Sequence, residues 1–279
     1  MTMPKDKTVL VLSDLHCGHL VGLTPPSRHA HYNGQNETLL KLEEVRQKLW
    51  AEFSKMIKKV GPVHTLVVNG DAIDGKGSRS GGTEQITTDM CQQADIAAEV
   101  IRFIKPKNLC MTYGTPYHTG LEEDFEGMVI KEVLSNGNRY KPKVAVIDSQ
   151  LFLDVNGVVF NFKHHTGSSS VPYGRATAVA KENIWNMAWN DSSKGNIPRA
   201  DIFIRSHVHY FGFSGDKNKL CMTTPALQGL GTKFGSRRCS GTVDWGFVVF
   251  NIDGKGNYQW HHEIPDVASE IQQVQTLNL

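Results

Sequence analysis

Five times along this chain a short apolar run ends in a polar cluster containing aspartate or histidine. The first is the sharpest. Val9-Leu10-Val11-Leu12 reads as a buried strand, and the chain then breaks into Ser13-Asp14-Leu15-His16. A carboxylate and an imidazole stand two apart at the strand's end, where side chains two apart share a face. Similar runs lead into Gly70-Asp71-Ala72-Ile73-Asp74, Gly114-Thr115-Pro116-Tyr117-His118, His164-His165 and His207-Val208-His209. If those runs are neighbouring strands, the clusters converge on one rim. Few folds deliver so many polar strand ends to a common edge, and that edge would be a metal site.

The intervening segments support such a fold. Leu39, Leu42, Val45, Leu49, Phe53, Met56 and Val60 recur at spacings of three and four, which predicts an amphipathic helix from Thr38 to Val60, ended by Gly61-Pro62. His64 to Asn69 reads as a second strand. A glycine-rich stretch, GKGSRSGG, precedes a second helix of about Glu84 to Ile104. Asn108 to Tyr113 is a third strand and Glu122 to Leu134 a third helix. This alternation argues for helices covering a largely parallel or mixed sheet.

The second half is richer in strands. They are expected at Val144–Ile147, Leu151–Val155, Val158–Phe162, Asp201–Arg205, Leu220–Thr224, Phe247–Ile252 and Tyr258–His262, with a helix over Arg175 to Asn190. Asn156-Gly157 and Asp253-Gly254 are hairpin signals. The expected fold class is therefore α/β, with two mixed β-sheets packed face to face as a sandwich and flanked by helices. No internal repeat, low-complexity tract or linker divides the sequence, so residues 1–279 read as a single domain. His19 to Asn36 is expected to be a polar loop, broken by Pro25-Pro26 and Asn33-Gly34. It leaves directly after the Asp14 cluster and reads equally as a lid, a substrate-side wall or a surface excursion. Arg28, His29 and His31 are its residues to test.

Bulk properties narrow the class. The 30 basic and 28 acidic residues nearly balance, which gives no support for a dominant nucleic-acid-binding charge, though a local basic patch is compatible with it. Cys17, Cys91, Cys110, Cys221 and Cys239 are odd in number and scattered, a pattern of reduced thiols in a cytoplasmic protein. The N-terminus lacks the length and cleavage site of a signal peptide. No apolar run approaches the roughly 20 residues that span a bilayer, so no membrane partner is expected. Oligomeric state has no signature here.

The clusters carry the chemistry jointly. Asp14, His16, Asp71, His164, His207 and His209 all follow predicted strands, where ligands gather in open α/β sheets. Six ligand-type side chains, two of them carboxylates, exceed what one ion needs and suit two divalent ions sharing a bridging carboxylate. Such a pair lowers the pKa of a water held between them and neutralises phosphate charge that grows in a transition state. A nearby histidine could protonate the leaving oxygen. Mixed nitrogen and oxygen ligands admit Mn, Fe, Zn, Ni or Co. The expected partner is a phosphoester substrate, with nucleotides and nucleic acids included in that class.

The motifs DLH, GDAID, GTPYH, HH and SHVH, in that order, resemble those of the calcineurin-like metallophosphoesterases over residues 9 to about 212. The altered third motif looks like that of divergent members found in phage and prophage genomes. The resemblance implies a two-sheet sandwich and metal-dependent hydrolysis of a phosphomonoester or phosphodiester. It also implies that Asp14, His16 and His209 bind the first metal, that Asp71 bridges, and that His164 and His207 bind the second. His118 would be the general acid, and Asp74 would hold the Asp71 loop. A nuclease or nucleotide phosphodiesterase, or a scaffold that kept the fold without catalysis, are the other readings.

Two departures bear on the roles. Thr115 stands where the family has an asparagine ligand of the second metal, and the histidine follows three residues later, after Pro116. His118 is thus open to three roles: acid, replacement ligand or neither. Ser206 replaces a glycine. Alternation along VVFNFKHH puts His164 and His165 on opposite faces, and the resemblance, through the family's position at the strand end, implies that His164 is the ligand. Arg79, Arg175, Lys233, Arg237 and Arg238 are the basic residues that could hold substrate phosphate.

Overall fold

The computed structural model describes residues 5–29, 36–119, 124–135, 137, 139–169, 171–229 and 243–266. His31, Lys233, Arg237, Arg238 and Cys239 lie outside them. The first sheet is built around strands β1 (Lys7–Leu12), β2 (Thr65–Asn69), β3 (Asn108–Thr112) and β4 (Val144–Asp148), which run parallel to one another. β10 (Phe247–Ile252) and β11 (Tyr258–Glu263) extend it antiparallel on the far side of β1. The order is β11-β10-β1-β2-β3-β4. The second sheet runs β5 (Leu151–Val155), β6 (Val158–Phe162), β7 (Ile202–Arg205), β9 (Leu220–Thr223) and β8 (Gly212–Gly215). β6, β7 and β9 are parallel, while β5 and β8 are antiparallel edges. Both sheets are mixed, as the sequence leads one to expect.

The sheets meet through one apolar layer. Val9, Val11, Val67, Val248, Phe250 and Ile252 of the first pack on Phe160, Phe162, Ile202, Ile204 and Met222 of the second. Strand alternation sends the other faces outward. Leu10, Leu12, Leu66, Val68, Leu109 and Met111 are buried under α1 (Glu37–Val60), α2 (Met90–Ile104) and α4 (Phe125–Leu134). Each helix begins at a side-chain cap: Asn36, Asp89 and Asp124 accept from backbone N–H groups of their first turns. Phe53 anchors α1 against Phe247 with no exposed surface, so its truncation to alanine would cost about 3–5 kcal/mol. The second sheet is covered by α5 (Arg175–Ser192), whose Val179 packs on Phe203 and Cys221. No helix among the described residues is long and apolar enough to cross a membrane.

Four local departures from the expected elements stand out. α2 starts at Met90 rather than Glu84, because the segment before it pairs with the chain after β1: Leu20 N–H donates to Glu84 O and Ile86 N–H to Gly18 O. The expected polar loop after Gly18 is in fact buried over Leu20, Val21 and Leu23. Its Arg28 is held by Asp95 and Glu99 of α2, and His29 Nε2 lies 2.9 Å from Thr24 O. A short helical turn, α3 (Pro116–Thr119), follows β3 and was not foreseen. β8 also escaped notice, since its glycines at both ends mask the alternation.

Candidate metal centre

The parallel strands β1, β2, β3, β6 and β7 all point their C-terminal ends to one rim, and the polar clusters leave from there. The backbone does something that strand alternation did not foresee. Asp14, His16, Asp71, His207 and His209 have φ of 50°, 45°, 50°, 74° and 55°, and they are five of the eight described non-glycine residues with positive φ. Left-handed backbone costs a non-glycine residue free energy, and it persists where the surrounding structure over-determines it. Here backbone bonds do so: Asp14 N–H donates to Gly70 O, His16 N–H to Asp71 O, and Leu227 N–H to Ser13 O. The paired residues therefore converge because each turns sharply, not because each lies on an extended strand.

The side chains form three overlapping triads whose ligand atoms lie within 4.8 Å of one another: Asp14, His16 and His209; His16, Asp71 and His118; Asp71, His164 and His207. His209 Nε2 is 3.2 Å from Asp14 Oδ1, His164 Nε2 is 3.9 Å from it, and His16 Nε2 is 4.0 Å from it. Yet Asp14 Oδ1 and His16 Nε2 are buried without a hydrogen-bond partner among the described residues. Buried polar atoms are ordinarily paired. Unpaired oxygen and nitrogen atoms at these separations fit a shared cation, whose ligand bonds run about 2.0–2.2 Å for zinc.

The surroundings orient the ligands. His16 Nδ1 lies 2.8 Å from Asp74 Oδ1, so the carboxylate fixes the ring and leaves Nε2 facing Asp14. Asp74 is itself held, with Gln85 Nε2 donating to Oδ2 at 2.6 Å and Gln93 Oε1 accepting from its backbone N–H at 3.1 Å. His164 is buried, with Nδ1 2.7 Å from Asn69 O and Nε2 3.0 Å from Asp71 Oδ2. His165 is exposed and packs beside the His207 ring at 5.0 Å. His118 Nδ1 lies 2.7 Å from Asp74 O, which leaves Nε2 as the ring nitrogen available for proton transfer. Thr115, at the position where the resembled motif has an asparagine, faces Asp71. Its N–H and hydroxyl both donate to Asp71 Oδ1, at 2.7 and 3.2 Å. Among the described histidines, cysteines and acids, only Asp71 joins His164 and His207 in their triad.

The electrostatics match that arrangement. Burial alone would raise Asp14, but facing His209 and His164 hold it at about 2. Asp71 is likewise lowered against its burial, by His164, His118 and His16. Burial would depress His164, yet Asp71 and Asp14 raise it to about 10. Burial and the neighbouring His164 push His207 down to about 4, and burial with His118 lowers His16. His209 is raised, since Asp14 outweighs its burial. Carboxylates that stay charged among buried imidazoles suit a cation.

One residue of the site was missed. Glu126 is buried, and its two oxygens accept from Ala72 N–H at 2.9 Å and Gly114 N–H at 2.7 Å. It thus ties the loop after β2 to the loop after β3. Burial and then Asp71 raise it to about 7. A signal existed: with Val129, Ile130 and Val133 it sits on the apolar stripe of α4, where a solvent-facing acid does not belong. Two glycines allow the close approach. A Cβ on Gly70 would meet the His164 ring at 2.4 Å, and one on Gly114 would meet Asp71 Oδ1 at 2.0 Å. Of the basic residues, Arg175 stacks on Tyr210 at 4.6 Å and Arg79 on Tyr117 at 4.6 Å.

No protein-family model matches the chain, and no curated protein matches it. Among solved structures it is similar to vacuolar protein sorting 29 from Cryptosporidium parvum, at 12% identity over 94% of this chain and 100% of that one, with a TM-score of 0.45. A novel archaeal phosphodiesterase matches at 12% identity over 92% of this chain and 99% of that one, with a TM-score of 0.40. Yfce, a phosphoesterase from E. coli, matches at 11% identity, 91% and 98% coverage, and a TM-score of 0.39. Likeness at this level says nothing about the chemistry of the present chain.

Proposed function

We propose that this chain is a calcineurin-like metallophosphoesterase, a hydrolase of a phosphomonoester or phosphodiester that depends on two divalent ions. The observation that carries the reading is the set of five carboxylate and imidazole residues held in left-handed backbone around unpaired buried ligand atoms. Asp14, His16 and His209 would hold one ion, His164 and His207 the other, and Asp71 both. Ions of the Mn, Fe, Zn, Ni or Co type, when bound there, would supply an activated water and neutralise charge on the phosphoryl oxygens.

The chain's own groups do the rest. In hydrolysis the P–O bond to the leaving oxygen breaks, a P–O bond to the water oxygen forms, and one proton passes to the leaving group. His118 would give that proton from Nε2, since Asp74 O engages Nδ1. Asp74 positions His16 and His118 together. The scattered thiols suit a reducing cytoplasmic setting.

A metal-reconstituted screen against monoesters, diesters and nucleic acid tests the reading. Turnover should vanish with a chelator, with Asp71→Asn and with His209→Ala, while circular dichroism shows a folded chain. Hydrolysis indifferent to all three would overturn it. Two bound ions per chain without turnover of any phosphoester would make the protein a scaffold instead.

A further inference from the structure

Beside the metal centre stands an arginine with no acidic partner. Arg28, Arg102, Arg199 and Arg205 each pair with a carboxylate. Arg79 has none among the described residues. Its guanidinium carbon lies 4.6 Å from the centroid of the Tyr117 ring, and its backbone N–H donates to Tyr117 Oη at 2.9 Å. Tyr117 is 37% exposed, and its ring stands edge-on to His118, with centroids 4.8 Å apart and planes at 89°. A cation, a partly exposed aromatic surface and the proposed proton donor are thus contiguous.

The loop that carries Arg79 is shaped for this position. Gly75, Gly77, Gly81 and Gly82 have φ of 78°, 61°, 64° and 76°, and Gly82 N–H donates to Gly77 O at 3.0 Å to close the turn. Gln93 brackets Gly75 from both sides, with Oε1 accepting from its N–H and Nε2 donating to its carbonyl, each at 2.8 Å. A Cβ on Gly75 would lie 2.7 Å from His118 O, so the loop presses directly on the turn that carries the proton donor.

We propose that Arg79 and Tyr117 form the leaving-group subsite, that they bind the phosphate one unit beyond the scissile bond, and that the substrate is a nucleotide-containing phosphodiester. The proposal rests on the phosphoesterase reading above. The guanidinium fork suits a phosphate bidentately, and an exposed aromatic ring accepts a stacked base. The subsite lies on the leaving side because Tyr117 adjoins His118, which protonates the departing oxygen.

The test uses the metal-loaded full chain and three dinucleotides, TpT, pTpT and TpTp. One of the two phosphorylated forms, whichever extends the leaving nucleoside, should show kcat/KM about tenfold above TpT. In Arg79→Ala that ratio should fall to about one, and Arg79→Lys should restore part of it. A second readout needs no turnover. The Asp71→Asn chain, which is expected to hold neither ion and so not to cleave, should bind one of the two phosphorylated forms about tenfold more tightly than TpT by calorimetry, and Asp71→Asn with Arg79→Ala should not. Equal cleavage of all three, or a preference that survives Arg79→Ala, overturns the subsite and leaves the phosphoesterase standing. No hydrolysis with the binding preference intact overturns the enzyme and keeps the subsite, and loss of both overturns both. A glycerol-linked diester with the same second phosphate, cleaved as well as the favoured dinucleotide, overturns the nucleotide assignment.

Discussion

The two halves of the centre are built to different standards. In the first, His16 is backed by a charged brace, because Asp74 grips its Nδ1 at 2.8 Å and is itself gripped by Gln85 and Gln93. In the second, His164 leans on a neutral carbonyl, Asn69 O, and His207 is half-buried among other imidazoles. Thr115, where the resembled motif has an asparagine, directs its hydroxyl to Asp71. A charged outer partner strengthens a ligating imidazole more than a carbonyl does, and outer-shell partners are worth about 10–100-fold in metal affinity. On the proposed assignment the chain would hold one strong half and one weak half, joined at Asp71.

Breaking the joint should erase the difference. Asp71→Asn removes the carboxylate common to both halves, and the expected loss of turnover is about 10³-fold or more, with neither ion retained on gel filtration. Gly114→Ala should approach the same result without touching a ligand, because the added Cβ lands 2.0 Å from Asp71 Oδ1. A Gly114→Ala chain that retains both ions at wild-type affinity would contradict the placement of Asp71. The next effect is one-sided. Asp74→Asn should weaken the first ion about 10–100-fold in a calorimetric metal titration and leave the second within a factor of about 3. Equal weakening of both would mean that the brace serves the whole rim.

Much of this was legible from residue order, and the remainder shows where such reading stops. Val9–Leu12, Leu66–Val68 and Phe160–Phe162 announce strands by apolar runs alone, and the clusters after them fall on one rim because those strands are parallel. His164 separates from His165 by alternation, and the structure buries the first and exposes the second. The left-handed turns at Asp14, His16, His207 and His209 were not legible. Aspartate and histidine are several-fold enriched in that backbone, but it stays uncommon even for them, so residue type alone does not announce it, and hydrogen bonds from distant loops impose it. The offset of His118 has a similar origin: Pro116 opens a single helical turn, and a turn so short leaves no periodicity. Glu126 was readable only as a fault in an apolar stripe.

Filling the weak half is a finer test. Thr115→Asn returns an amide beside His164 and His207. The second ion should bind about tenfold more tightly while the first is unchanged, as read from the two steps of the same titration. A single merged step at the original affinity would mean that the backbone at residue 115, fixed by its N–H bond to Asp71 Oδ1, keeps any side chain turned away.

Protons offer the smallest and cleanest contrast, in the metal-free chain. His164 is raised from 6.5 to about 10 by Asp71 and Asp14 after the opposing cost of burial. A raised folded value means that the stabilisation is fully present below the unfolded value of about 6.5 and is lost as pH climbs through 10. Asp71 and Asp14 are lowered, so their share is present above about 3.8 and constant over that window. The melting temperature of the metal-free chain should therefore fall by about 3–6 °C between pH 6.5 and 10. His164→Gln should flatten that slope more than His209→Gln does, because Asp71 grips His164 at 3.0 Å and two carboxylates face it. With metal present the slope should reverse, since ligands must shed their protons before an ion binds. If His209→Gln flattens the profile instead, the stronger proton site belongs to Asp14 rather than to Asp71.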